Sequence, residues 1–456
     1  MNTVSETSEK YLILGAGSSG LTVARAFQEL GIPYDCIERE DDVGGNWYFG
    51  KPHSSVYRST HLISSKPLTE YPDFPMPAEF PDYPRHDQVW QYLRAYARHF
   101  DLYDHIELNT SVERIEPVDS QSSSDGEESP LSARRGPWRV RLSHGEQRLY
   151  RGVVIANGHL WDPKYPDYPG QFEGTILHSS EYKTHDVLVD RRVLVVGAGN
   201  SGCDIAVESG QNAAQTYHST RRGYHYMPKY FFGTPADQLN ERFLSWRMPL
   251  WLRRLSAAFM VKMVQGWPQD YGLPKPDHKL LESHPIVNSQ LLYYVGHGEI
   301  IVKPDVAELL GDRVRFVDGS EAPIDLIIYA TGFRLSFPFI DHKYLNWKAG
   351  RPDLYLNVFH PHDDTLFIAG LLQPDSGQFG LVHYQAQLIA RFVAAIDHDP
   401  QRANWFRREK SHGHDDLGRG IHYIRSTRHL LEVEHFGYRR RFRKAIARFD
   451  TGLAPR

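Results

Sequence analysis

Two hexapeptides, Gly15-Ala16-Gly17-Ser18-Ser19-Gly20 and Gly197-Ala198-Gly199-Asn200-Ser201-Gly202, repeat one spacing of glycines. Each directly follows a short apolar run, Tyr11-Leu12-Ile13-Leu14 or Val193-Leu194-Val195-Val196, and each leads into a helical pattern. At this spacing the first glycine makes a tight strand-to-helix turn, the second lets backbone amides approach a pyrophosphate, and the third lets helix and strand pack closely. The helix N-terminus, with its unpaired N–H groups, then faces the phosphates. One such turn holds one dinucleotide. Two of them imply a protein that brings two dinucleotides together, most simply a flavin and a nicotinamide.

The residues beyond each turn separate the ligands. After the first, the strand Tyr34-Asp35-Cys36-Ile37 ends in Glu38, with Arg39 beside it. An acid about 20 residues past the glycines binds ribose hydroxyls, which suits the adenosine ribose of FAD. After the second, the equivalent stretch Thr216-Tyr217-His218-Ser219-Thr220-Arg221-Arg222 contains no acid. A carboxylate there would repel a 2′-phosphate, whereas guanidinium groups bind one through charge-assisted hydrogen bonds, so NADPH is expected over NADH. The plainer alternative makes Arg221 and Arg222 a solvated surface turn.

These turns need elements to position them. The 456-residue chain is too long for one compact core and predicts two or three domains. The expected architecture is α/β, with two Rossmann-like dinucleotide-binding domains and the NADP domain inserted into a discontinuous FAD domain. Residues 1–185 form the first part of the FAD domain, 186–297 the NADP domain, and 298–456 the second part with C-terminal helices. Strands near Ile106 to Leu108, Glu113 to Ile115 and Trp138 to Leu142 read as a meander over the flavin domain, with Ser120 to Arg135 as a mobile loop between two of them. Gly152-Val153-Val154-Ile155 returns to the parallel sheet. The buried strands within Ile324 to Tyr329 and Leu366 to Ile368 are expected to complete that first sheet.

A formal net charge of −4 gives no argument for nucleic acid. The two cysteines, Cys36 and Cys203, fall in predicted core elements, which fits a reducing compartment and excludes a disulfide framework. Without a C-x-x-C pair the chain also lacks the electron relay of the disulfide reductases. The polar stretch Met1 to Lys10 has no apolar signal core, and no uninterrupted apolar stretch reaches membrane-spanning length. A cytoplasmic location follows.

Phe172-Glu173-Gly174-Thr175-Ile176-Leu177-His178-Ser179-Ser180-Glu181-Tyr182 fits F-x-G-x-x-x-H-x-x-x-Y just before the second turn. This resembles the fingerprint of the flavin-containing monooxygenases, which are class B flavoprotein monooxygenases. Related Baeyer–Villiger enzymes usually carry Trp, often followed by Pro or Asp, where this chain has Tyr182-Lys183. Gly44-Gly45-Asn46-Trp47, the passage Tyr71 to Pro75 and the turn Ala330-Thr331-Gly332 add to the likeness, which extends from about Tyr11 to Ala395.

The resemblance implies that NADPH passes hydride to FAD and that dioxygen adds to the reduced flavin. The resulting C4a-hydroperoxide gives one oxygen atom to a small sulfur or nitrogen compound. Oxidised NADP stays bound, and His178 and Phe172 serve as linkage between domains rather than as proton-transfer groups. FAD is expected on Gly15, Gly17, Ser19, Gly20, Glu38 and Arg39, with Asn46 and Trp47 along it, Val112 meeting the adenine through backbone atoms, and Gln373 approaching the isoalloxazine. The NADP pyrophosphate falls to Gly197, Gly199, Asn200, Ser201 and Gly202, and the 2′-phosphate to Ser219, Thr220, Arg221 and Arg222.

One departure bears on function. Many family members place Thr or Ser and then Asn before a Ser-x-Lys-like segment at the flavin edge, whereas this chain has Leu62-Ile63 before Ser64-Ser65-Lys66. Ser64 or Ser65 is the candidate replacement, Ser64 foremost, with one hydroxyl donor where an amide offers two. The missing amide points to a shorter-lived intermediate with more peroxide leakage, or to a shift toward ketones. Three rival readings share the binding residues: Baeyer–Villiger oxygenation of ketones, an uncoupled NADPH oxidase releasing hydrogen peroxide, and a redox sensor without turnover.

Other segments invite sharper readings. His412-Gly413-His414-Asp415-Asp416 reads as a solvated loop rather than a metal site, and no metal is expected. The helix from Tyr438 to Phe449 sets Tyr438, Phe442, Ile446 and Phe449 on one stripe with arginines opposite. Packing on its own domain is the main expectation, and docking on an anionic membrane the lesser one. Leu250 to Val264, with Trp251, Phe259, Met260 and Met263, reads either as a core-facing helix or as the roof of a substrate tunnel. The partners expected are a small-molecule substrate and dioxygen, with a homodimer as an admissible assembly.

Overall fold

A computed structural model describes residues 9–118, 136–246, 248–412, 416–424 and 427–451. The loop expected over Ser120 to Arg135, most of the N-terminal stretch and the centre of the His412 to Asp416 segment lie outside the described residues. The apolar runs before the two glycine turns become the central strands of two five-stranded parallel sheets. In the first, Tyr11–Leu14 lies between Tyr34–Ile37 and Gly152–Ile155, with Ile106–Glu107 at one edge and Leu366–Ile368 at the other. In the second, Arg192–Val196 lies between Gln215–Ser219 and Leu326–Tyr329, with Ile300–Lys303 and Thr175–His178 at the edges. Strands buried on both faces read as continuous apolar runs, and Val193, Leu194 and Val195 are all fully buried.

The architecture is the expected α/β one with two Rossmann-like units. Three strand assignments change. Ile106–Glu107 is an edge strand of the first parallel sheet, and the meander consists of Val112–Pro117, Trp138–Leu142 and Gln147–Tyr150. Leu326–Tyr329 belongs to the second sheet, paired with Arg192–Val196, so only Leu366–Ile368 completes the first. Thr175–His178 is the opposite edge of that second sheet, so the fingerprint is structural strand as well as linkage. The second sheet therefore takes strands from both sides of the 186–297 span. Parallel partners come from distant sequence, and an all-apolar run carries no mark of which sheet it enters.

Each sheet has an antiparallel meander immediately before the strand that closes on the glycine turn. Val306–Gly311, Arg313–Phe316 and Glu321–Pro323 precede Leu326–Tyr329 as the other three strands precede Gly152–Ile155. The helix Ser18–Glu29 packs on Phe379–His398, and the C-terminal helix His435–Thr451 packs on the latter's other side. Tyr438, Phe442 and Phe449 are buried in the core of the first unit. The stripe on the C-terminal helix is thus used internally, as its main reading expected. Among the described residues no helix is long and apolar enough to cross a membrane.

Candidate functional site

Both turns make the same steric demands. Gly15 has φ +101° and Gly197 φ +117°, and a Cβ on either would sit 2.8 Å from the Ala156 carbonyl oxygen or 2.4 Å from that of Ala330. A Cβ at Gly20 would come within 1.8 Å of the Gly15 carbonyl oxygen, and one at Gly202 within 2.0 Å of that of Gly197. The helices Ser18–Glu29 and Asn200–Asn212 reach their strands only because these positions are bare. The second glycine of each turn behaves differently. Gly17 and Gly199 have φ of −77° and −73°, open to any residue. A Cβ would meet only Gly45 at 3.6 Å in one case and the Arg428 guanidinium at 3.8 Å in the other. The protein itself leaves room there, and a phosphate laid against the backbone is what that room fits.

Among the side chains expected around the first turn, Glu38 touches it directly. Buried Glu38 accepts hydrogen bonds from the Ala16 N–H at 2.7 Å and the Glu40 N–H at 3.0 Å. Burial raises its pKa, against the pull of those two N–H groups and of Arg39. Arg39 lies over the Trp161 ring at 5.6 Å. Trp47 meets Phe379 edge-on at 6.3 Å, and Ser19 packs against Gly370, where a Cβ would be 2.2 Å from its hydroxyl oxygen. The Asn46 carboxamide oxygen is taken by the backbone N–H and the hydroxyl of Ser55, at 2.7 and 2.8 Å, so this side chain holds its own loop. Val112 opens the meander opposite Leu142. Gln373 donates its N–H to the Leu431 carbonyl at 2.8 Å.

Around the second turn the expected residues divide. Ser219 donates to the Pro304 carbonyl at 2.6 Å, and Arg222 is paired with Asp277 at 2.7 Å. Thr220 has a buried hydroxyl with no hydrogen-bond partner among the described residues, and Arg221 is exposed. The free donors at the end of Gln215–Ser219 are thus a hydroxyl and a guanidinium, which suit a phosphate. The Asn200 carboxamide accepts from the Val287 N–H at 2.8 Å and donates to the Pro285 carbonyl at 3.1 Å. Asn200 and Ser201 therefore offer this turn chiefly the backbone N–H groups that begin the helix.

A cleft with a cavity volume of about 120 Å³ lies between the units. Its walls include Ile63, Ser64, Tyr83, Phe231, Phe243 and Met260. The Ser64 and Thr69 hydroxyls are 2.8 Å apart, so Ser64 borders the cleft with its hydroxyl already engaged. Leu62 is buried and Ile63 lines the wall, so neither position presents a carboxamide to the cleft. The Lys66 ammonium donates to the Pro77, Ala78 and Phe80 carbonyls and is structural.

Sequence reading missed Asp237, which also lines the cleft. Its carboxylate accepts from the Ser65 N–H at 2.6 Å across the interface between units, and burial pushes its pKa up. No local motif surrounds it. Along the helix Leu250–Gln265, Ala257 and Met260 line the cleft, as the tunnel-roof reading expected of Met260, while Trp251, Phe259 and Met263 are exposed, so the core-facing reading does not hold for them. His178 is buried, its ring nitrogens on the Ser180 hydroxyl at 2.9 Å and the Gly332 carbonyl at 3.1 Å, which fits a linking role. Cys36 and Cys203 are free and fully buried, and burial raises both thiol pKa values. Among the described residues no group of His, Cys, Asp or Glu comes together as a metal site.

A family model described as flavin-binding monooxygenase-like matches residues 8–420. Dimethylaniline monooxygenase [N-oxide-forming] 2 of Macaca mulatta is 32% identical over 411 residues, covering 86% of this chain and 75% of that protein. Among solved structures, S-allyl-L-cysteine S-oxygenase from Allium sativum has a TM-score of 0.64 at 19% identity, covering 96% of this chain and 88% of that one. Oxidized steroid monooxygenase bound to NADP has a TM-score of 0.69 at 18% identity, covering 98% and 99%.

Proposed function

Because this chain belongs to the flavin-binding monooxygenase-like family, we propose that it inserts one oxygen atom from dioxygen into a small sulfur or nitrogen nucleophile. It is an NADPH-dependent flavin monooxygenase, with FAD and NADPH as its cofactors. The observation that carries the finer reading is a cleft walled largely by aromatic and aliphatic side chains and lined by residues of both glycine-turn units. Names of similar proteins agree with it, one being N-oxide-forming and another an S-oxygenase.

In this reading Gly15, Gly17, Gly20 and Glu38 hold FAD, while Gly199, Ser201, Thr220 and Arg221 hold NADPH. Bound FAD supplies acceptance of hydride from NADPH and activation of dioxygen. The chain's own residues orient and enclose. Gly17 and Gly199 leave backbone N–H groups open to phosphates, Glu38 faces the ribose, and Tyr83, Phe231 and Phe243 keep water from the cleft. Asp237, held by the Ser65 N–H, fixes the inserted helix Ala236–Ser245 against the first unit.

The test is stoichiometric. Holoenzyme incubated with NADPH and, separately, a tertiary amine, a thioether and a ketone is expected to form one N-oxide or sulfoxide per NADPH consumed. Ester formation with no N- or S-oxide would move the assignment to Baeyer–Villiger chemistry. A second reading, the uncoupled oxidase, is favoured by Ile63 at the cleft wall with Leu62 buried beside it. NADPH consumption matched by hydrogen peroxide alone would establish it in place of the first.

A further inference from the structure

The described residues 421–424 and 427–433 lie at the junction of the two units and are fastened to both. On the inserted side, the Ile424 N–H donates to the Glu282 carbonyl at 2.9 Å. The Ser283 hydroxyl lies 3.1 Å from His429 Nε2, and His284 Nδ1 lies 3.3 Å from a Glu432 carboxylate oxygen. On the other side, the Leu431 carbonyl accepts from the Gln373 N–H at 2.8 Å and the Leu430 carbonyl accepts from Arg351 at 2.5 Å. Glu432–Val433 also pairs in parallel with Gln373–Pro374.

Arg428 sits on this strap between Ile424 and His429, two of its fastenings to the inserted side. Its guanidinium lies over the Tyr224 ring at 5.5 Å, and a terminal nitrogen is 3.8 Å from where a Cβ on Gly199 would stand. It is half-buried, and among the described residues no carboxylate comes within ion-pair distance of it. The arginines nearest to it in role are otherwise placed: Arg222 is neutralised by Asp277, and Arg221 stands at the far end of the neighbouring strand. A planar cation with no carboxylate partner among the described residues, lying over a tyrosine and set against the bare second glycine of the turn, meets two attractions for an anion at one point. These are its own charge and the positive end of the helix Asn200–Asn212.

We propose that Arg428 is a ligand of the pyrophosphate of the dinucleotide on the second turn. The strap then works as a clamp: occupancy of the second turn fixes Arg428, and Arg428 is joined through Leu430 to Val433 to the strand at Gln373 beside the first unit's sheet. This inference rests on the reading that the second turn holds NADPH, and adds a residue more than 200 positions away that no glycine motif contains.

Isothermal titration of flavin-loaded protein with NADP+ and with NAD+ tests it. Arg428→Gln retains much of the packing over Tyr224 and removes the charge, and it is expected to weaken both dinucleotides by the same factor, tenfold or more. Arg428→Lys is expected to recover part of the loss. Arg221→Ala serves as the contrast, weakening NADP+ alone, and flavin content is expected to stay unchanged in all three. Wild-type affinity in Arg428→Gln overturns the proposal. So does a loss confined to NADP+, which would place Arg428 on the 2′-phosphate, and so does a loss accompanied by loss of flavin in both Arg428 variants, which would make it a structural prop. If the unmodified holoenzyme binds neither dinucleotide, the reading of the second turn itself falls, and the two failures are told apart.

Discussion

In the first unit the glycine strand Tyr11–Leu14 runs between Tyr34–Ile37 and Gly152–Ile155; in the second, Arg192–Val196 runs between Gln215–Ser219 and Leu326–Tyr329. Even the closing turns correspond, Ala156 crowding Gly15 as Ala330 crowds Gly197. The difference lies where the next strand ends. There the first unit has Glu38, buried and held by two backbone N–H groups, and the second has Thr220 with a free hydroxyl and Arg221 in solvent. One backbone plan thus occurs twice, and in the proposed assignment a few side chains decide which dinucleotide each copy takes. A carboxylate is the wrong neighbour for a 2′-phosphate and a good one for ribose hydroxyls.

The largest test of that equivalence is steric. Gly20→Ala and Gly202→Ala each force a Cβ into a carbonyl oxygen, at a cost of about 3 kcal/mol or more. The first is expected to yield colourless protein without activity, and the second to keep its flavin while losing NADP+ affinity, as read by absorbance and titration. If either substitution removes both ligands, the units are not independent. Next comes the difference between the strand ends: Arg221→Glu is expected to raise the KM for NADPH by about 10- to 100-fold, the worth of a charge-assisted bond, with the KM for NADH little changed. Equal effects on both would remove the assignment of Arg221 to the 2′-phosphate.

A smaller effect is expected at the cleft. Ile63→Asn supplies a carboxamide, and the ratio of oxygenated product to NADPH consumed should rise about twofold; an unchanged ratio would separate coupling from this edge. The smallest effect concerns Asp375 at the junction, whose pKa burial and then Glu434 push from 3.8 up to about 7. The folded state then binds more protons than the unfolded one between those values, so this group's contribution to stability declines as pH rises through the window. Asp375→Asn should flatten the slope by on the order of 1 kcal/mol per pH unit within that window, measured as denaturation midpoints of the flavin-loaded protein from pH 5 to 8.

Both turns and Glu38 were legible in the sequence because their signals are local: an apolar run, three glycines, then a helix or a strand end. The sheet to which Leu326–Tyr329 belongs was not, since Leu-Ile-Ile-Tyr satisfies either sheet equally and only the chain path chooses. The commitments of Asn46, Asn200, Ser219 and Arg222 were also hidden. Their types suit a cofactor, but their partners Ser55, Val287, Pro304 and Asp277 are set by loop geometry. Asp237 and Arg428 carry no motif, and their places arise where segments far apart in sequence meet.

The seclusion of Cys36 and Cys203 has a consequence for an enzyme that handles activated oxygen. Peroxide attacks the ionised sulfur, and both sulfurs are shut from solvent and kept protonated by their surroundings. Each half of the molecule thus shelters its one thiol from sulfenic acid formation by the oxidant it would itself release during a wasted turnover.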